Sequence, residues 1–139
     1  MSAKKQDIIK RANQWTVFAD DDLRIARHAF KLSSSCPYRI IAYHAQQCAE
    51  KYLKAFLVYK NVDFPYTHKL SRLLELCLPY GSWVEKLRAA EELTPYAVTA
   101  RYPEQREKVS KKDALRTIEI ASLVKKTMRK IFKQEGLHL

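Results

Sequence analysis

The sequence predicts an all-α fold, an antiparallel up-and-down bundle of four main helices with a short fifth. It forms a single domain over residues 1–139. Three observations carry this. Only 2 of 139 residues are glycine, far fewer than a turn-rich sheet protein uses. Apolar residues recur at offsets of three and four along the longest segments. The breaks between those segments carry the Ser, Pro, Asn and Asp that start and stop helices. A hydrophobic share of 47% is enough for one real core, and the length is too short for two comfortable ones.

The first helix is expected from about Gln6 to Lys31, with Ile8, Ala12, Trp15, Ala19, Leu23, Ala26 and Phe30 as its apolar stripe. Its Asp20-Asp21-Asp22 run reads as a solvated surface beside Arg24 and Arg27, since adjacent helical side chains point in different directions. Ser33-Ser34-Ser35-Cys36-Pro37 breaks the chain, and a second helix starts at Pro37 or Tyr38 and runs to about Lys60. Thr67 reads as the N-cap of a third helix with Leu70, Leu73, Leu74 and Cys77 inward, ended by Pro79 and Gly81. Trp83 to Leu93 reads as the short helix, and Thr94 to Pro103 as a loop rich in aromatics and proline. The last helix is expected from about Lys111 to Lys133. Ala114, Ile118, Ala121, Val124, Met128 and Ile131 face inward, and Lys112, Arg116, Glu119, Lys126, Lys130 and Lys133 face outward.

With 26 Lys and Arg against 15 Asp and Glu, the net charge is +11, which favours polyanionic partners, either nucleic acid or an acidic protein. The outer stripe of the last helix is the candidate surface for such contact, or simply a solvated face. Three widely spaced cysteines, Cys36, Cys48 and Cys77, form neither a disulfide framework nor a metal-ligand spacing. No metal and no cofactor is expected. No run is long and apolar enough for a membrane span, and the N-terminus lacks an apolar signal core, so a cytoplasmic protein is expected.

The chemistry gathers on the second helix. His44, Gln47, Glu50, Lys51 and Lys54 lie three and four residues apart, which aligns an imidazole, an amide, a carboxylate and two amines along one side. Ile41, Ala45, Tyr52, Ala55 and Phe56 supply an opposite face apolar enough to bury.

These residues resemble the HEPN family (higher eukaryotes and prokaryotes nucleotide-binding). The likeness rests on three ordered landmarks: the helix from His44 to Leu57, Thr67-His68-Lys69-Leu70, and Ala100-Arg101-Tyr102-Pro103 before the final helix. With the leading Trp15 helix it covers nearly the whole chain. The resemblance implies a helical bundle that forms homodimers and binds nucleotide or RNA. It also implies pairing with a minimal nucleotidyltransferase in a toxin–antitoxin-like couple. Several branches are metal-independent endoribonucleases carrying Arg, four to six residues, then His near the last helix. Here the last helix holds no histidine, and the only such string is Arg39-Ile40-Ile41-Ala42-Tyr43-His44.

Metal-free RNA cleavage needs a proton-transfer group and a cation for the phosphorane, roles that suit His44 and Arg39. Their five-residue offset turns about 140° around a regular helix, so the pair reads either as chance spacing or as a site assembled by distortion or dimerisation. For nucleotide or phosphate binding the candidates are Gln47, Glu50, Lys51, Lys54, His68, Arg101 and Tyr102. His68 would sit near a helix N-terminus that favours anions. Arg101 would offer a phosphate fork beside the stacking face of Tyr102. A groove joining His44, Glu50, Lys54, His68 and Arg101 is the catalytic or binding reading. A non-catalytic interaction or dimerisation module is the alternative.

Overall fold

The computed structural model describes residues 2–99 and 108–139. Among them every regular element is helical, as the scarcity of glycine predicts. The first helix, α1 (Ala3–Ala29), begins three residues earlier than its apolar stripe suggests, because Ser2 caps it by accepting from the Lys5 N–H at 3.1 Å. The second, α2 (Tyr38–Tyr59), keeps the expected bounds. The last, α6 (Lys111–Gln134), opens on a capping box that the sequence reading did not single out. Ser110 Oγ accepts from the Asp113 N–H, and Asp113 Oδ2 accepts from the Ser110 N–H, each at 3.0 Å.

The middle of the chain departs from expectation in three places. First, α3 (Leu70–Cys77) starts after His68, and its cap is borrowed: Thr94 Oγ1 accepts from the Leu70 N–H at 3.2 Å. Thr67 instead closes a local turn onto the Lys69 N–H. His68 therefore precedes the helix, and the anion-favouring field of a first turn does not apply to it. Second, Trp83 to Leu93 is not one helix. It is a single turn, α4 (Trp83–Lys86), followed by a 3-10 stretch over Arg88–Leu93, with Leu87 at φ −101° and ψ 9° between them. Third, the expected loop contains α5 (Tyr96–Thr99), directly preceded by Pro95, whose missing N–H falls where a helix start has no intrahelical acceptor for one.

The largest correction concerns α2. An amphipathic helix with one solvent face was expected, yet α2 is covered almost all round, from Ile41 to Leu57. It is the central element, with α1, α3, α5 and α6 packed about it. Paired residues give the senses: Asp20 meets Tyr52 and Asp22 meets His44, so α1 runs against α2. Tyr52 meets Arg129, Phe56 meets Phe132 and Lys60 meets Glu135, so α6 runs along with it. The core between them holds Leu23, Ile41, Tyr52, Phe56, Leu57, Leu73, Leu74 and Phe132, with Trp83 edge-on to Phe56 at 5.0 Å.

Candidate functional site

The site follows from how α1 meets α2. Each helical residue advances about 100°, so with the core direction midway between Ala19 and Leu23, Asp20 and Asp22 fall about 80° to either side. Asp21 points about 180° away and is exposed. The triple aspartate is thus not a solvated run. Two of its carboxylates flank the α1–α2 seam, one on each edge, and each meets basic groups there.

On one edge, Asp22 holds an imidazole and an ammonium together. Its Oδ1 lies 2.8 Å from His44 Nδ1 and its Oδ2 2.6 Å from Lys51 Nζ. Glu50, on α2 itself, repeats the pattern, with Oε1 2.8 Å from His68 Nδ1 and Oε2 3.0 Å from Lys54 Nζ. Glu50 Oε1 also accepts from Gln46 Nε2 at 3.0 Å, and Gln46 Oε1 accepts from Gln47 Nε2 at 2.6 Å. A carboxylate only accepts, so each Nδ1 carries a proton and each Nε2 is turned away from its carboxylate. Among the described residues neither Nε2 has a hydrogen-bond partner. A carboxylate on Nδ1 fixes the orientation of the ring, the arrangement that acid–base catalysis and anion recognition both use.

Exposure separates the groups that can meet a ligand from those that support them. His44, Lys51 and His68 keep 23%, 22% and 26% of their side-chain surface. Lys54 keeps 6% and Glu50 4%. The Lys54 ammonium is boxed by the rings of Trp15, Phe64 and Tyr66 at 5.6, 5.6 and 5.9 Å. It was expected to hold phosphate. Its charge is instead spent on Glu50 and those aromatic faces inside the protein, where no phosphate reaches. Gln47 and Glu50 are likewise interior, where they orient neighbours. Beside the half-exposed groups stand two open rings. Phe18, 60% exposed, lies under Lys51 at 5.9 Å, and Tyr66, 89% exposed, packs edge-on to His68.

The other edge of the seam is a structural clamp. Asp20 accepts from the Tyr52 hydroxyl, from Arg129 Nη2 at 2.5 Å and from Lys125 Nζ at 3.2 Å, joining α1, α2 and α6. Burial pushes the Asp20 carboxyl up, but the Tyr52 hydroxyl, Arg129 and Lys125 together outweigh it and hold it below its ordinary value. Burial, and then the Asp20 carboxylate, push the Tyr52 hydroxyl well up, so it stays a donor. Asp20 was expected on a solvated surface and Tyr52 on an apolar face, and Arg129 was not singled out. The one available signal was that Asp20 and Asp22 flank an apolar stripe on opposite sides.

Of the remaining expected residues, Arg39 is exposed on the first turn of α2, and no hydrogen bond or ion pair joins it to His44. The regular helix keeps them apart, as their 140° offset requires. Arg101 and Tyr102 lie outside the described residues. Cys48 is buried beneath the row, its thiol pushed up by burial and by Asp20. Among the described residues no cluster of His, Cys, Asp and Glu could hold a metal ion, and no helix is long and apolar enough to cross a membrane.

An all-helical domain that gathers its polar chemistry on a buried central helix is the class this geometry defines. More narrowly, the HEPN domain profile matches residues 12–131, and the chain belongs to that family. Membership points to a nucleotide- or RNA-related function. No curated protein and no solved structure matches the chain.

Proposed function

We propose that this chain binds nucleotide or RNA along the open edge of the α1–α2 seam, and that it works as a homodimer beside a minimal nucleotidyltransferase in a toxin–antitoxin-like pair. The observation that carries the binding site is the repeated His–carboxylate–Lys arrangement. Two half-exposed imidazoles are each fixed through Nδ1, with Lys51 beside one of them. Phosphate oxygens would accept from Lys51 Nζ and from the Nε2–H of the doubly protonated imidazoles, and a base would stack on Phe18 or Tyr66. His44 is the proton-transfer candidate, with Asp22 as its positioning residue. Family membership supports the ligand class.

The test uses asparagine. Its amide N–H replaces Nδ1–H and keeps the bond to the carboxylate, while Nε2 is deleted. Fluorescently labelled single-stranded RNA and ATP are titrated in chelator against the natural chain and His44→Asn/His68→Asn. The expected result is at least tenfold weaker binding at unchanged melting temperature. Equal binding by both proteins defeats the reading. RNA cleavage in the same chelated buffer separates an endoribonuclease from a binding protein.

A second reading, a non-catalytic interaction module, is favoured by one observation. Val17, Phe18 and Ile25 leave an apolar strip on the outer side of α1, 47%, 60% and 48% exposed. Under that reading the strip docks a partner chain, and the His44→Asn/His68→Asn variant keeps every activity.

A further inference from the structure

Across α1 from His44, on the edge marked by Asp20, a hollow of about 310 Å³ opens between α1 and α6. Arg24, Arg27, His28 and Lys31 line it from α1 and the turn that follows, and Lys125 lines it from α6. The four positions on the α1 side are spaced i, i+3, i+4 and i+7, so they form one stripe. Acids balance only part of this charge. Arg24 lies 3.9 Å from Asp21, and the Asp20 carboxylate at the base of the hollow takes Arg129 at 2.5 Å. Lys125 shares that same carboxylate at 3.2 Å, which therefore serves two cations with one charge. Arg27 and Lys31 have no acidic partner among the described residues. The Arg27 guanidinium is held in place by donating to Ser122 Oγ at 2.8 Å. One face of that fork is thereby fixed, and its other N–H groups remain available.

We propose that this hollow is a second nucleic-acid contact, separate from the His44–His68 edge, and that it grips consecutive phosphates of an RNA strand without reading bases. The chemistry matches phosphates in three ways. Planar guanidinium forks suit phosphate oxygens, and Arg27 is already oriented. Among the described residues no Phe, Tyr or Trp lines the hollow, so the broad rings that hold bases in single-strand channels are missing there and cations dominate the lining. The stripe from Arg24 to Lys31 covers about 10 Å along the end of α1 and the turn that follows, longer than a single phosphate group, which favours a chain of linked phosphates over a free ion. Contacts of this kind position a strand without specifying its sequence.

The salt dependence of binding tests the proposal. Arg24 and Lys31 are exposed, and among the described residues the one ion pair either makes is that of Arg24 with Asp21, so Arg24→Gln/Lys31→Gln is expected to keep the fold. Anisotropy of a labelled single-stranded RNA is measured from 50 to 300 mM salt, with poly-glutamate of equal charge as competitor. Losing two phosphate contacts is expected to flatten the slope of log affinity against log salt by about 1.4, and to weaken low-salt binding about tenfold. Arg27→Gln, checked by thermal melting, flattens it by about 0.7. An unchanged slope in folded variants overturns the proposal. Displacement of RNA by poly-glutamate at equal charge also overturns it, and assigns the hollow to an acidic protein. In the His44→Asn/His68→Asn background, Arg24→Gln/Lys31→Gln still flattens the slope by about 1.4, so the two sites fail or succeed independently.

Discussion

Replacing Glu50 by glutamine tests the buried half of the site. Glu50 is the shared acceptor for Gln46, Lys54 and His68, and its side chain is 4% exposed. The amide keeps the size and one acceptor oxygen but removes the charge that compensates the enclosed Lys54 ammonium. Breaking a buried ion pair from one side costs about 3–5 kcal/mol, because the remaining charge is left in a poorly solvating interior. For a chain of this length that corresponds to a fall in melting temperature of about 10–20 °C. Lys54→Met should cost less, because Gln46 and His68 still donate to the carboxylate. In Glu50→Gln/Lys54→Met no uncompensated charge remains, and about half or more of the loss should return, with the methionine packed among Trp15, Phe64 and Tyr66. Thermal melts followed by circular dichroism at pH 7 measure all three variants. A Glu50→Gln protein melting within 2 °C of the parent, or a double variant no better than Glu50→Gln, would show that the pair is not the enclosed charge centre described above.

Two further outcomes follow from the titrating groups. Asp20 has its folded value below the ordinary 3.8, so its stabilising effect is complete above the unfolded value and fades as the pH falls through the folded one. The melting temperature of Asp20→Asn should therefore trail the parent at pH 7 and converge on it below about pH 4; a gap constant down to pH 2.5 contradicts the clamp. Burial pushes the Cys77 thiol up to about 12 and that of Cys48 higher still, while Cys36 is only half-buried. A thiol reagent at pH 8 should label Cys36 alone in the native protein, with the other two reacting after denaturation. Rapid labelling of all three would contradict the packing around α2.

Much of the helix framework was legible because local spacing determines it. Ala12, Ala19, Leu23 and Ala26 of α1, and Ala114, Ala121, Val124 and Met128 of α6, are buried as their periodicity requires. The middle segments were read less well, since their ends depend on distant partners. The cap of α3 comes from Thr94, a residue 24 positions away that no local pattern connects to Leu70. The likeness of the His44–Leu57 helix, Thr67-His68-Lys69-Leu70 and Ala100-Arg101-Tyr102-Pro103 to HEPN domains was also present in the sequence, and residues 12–131 match that family.

What the sequence determined by itself was that His44, Gln47, Glu50, Lys51 and Lys54 share one side of a helix, because a fixed turn per residue leaves no choice. Which of them meets solvent was decided only when α1 and the 61–69 segment closed over α2. Asp22 and Glu50 then took one imidazole and one lysine each, and three aromatic rings shut around Lys54. Burial and charge pairing depend on neighbours distant along the chain, so a residue's own position cannot reveal whether its charge is used within the protein or left for a ligand.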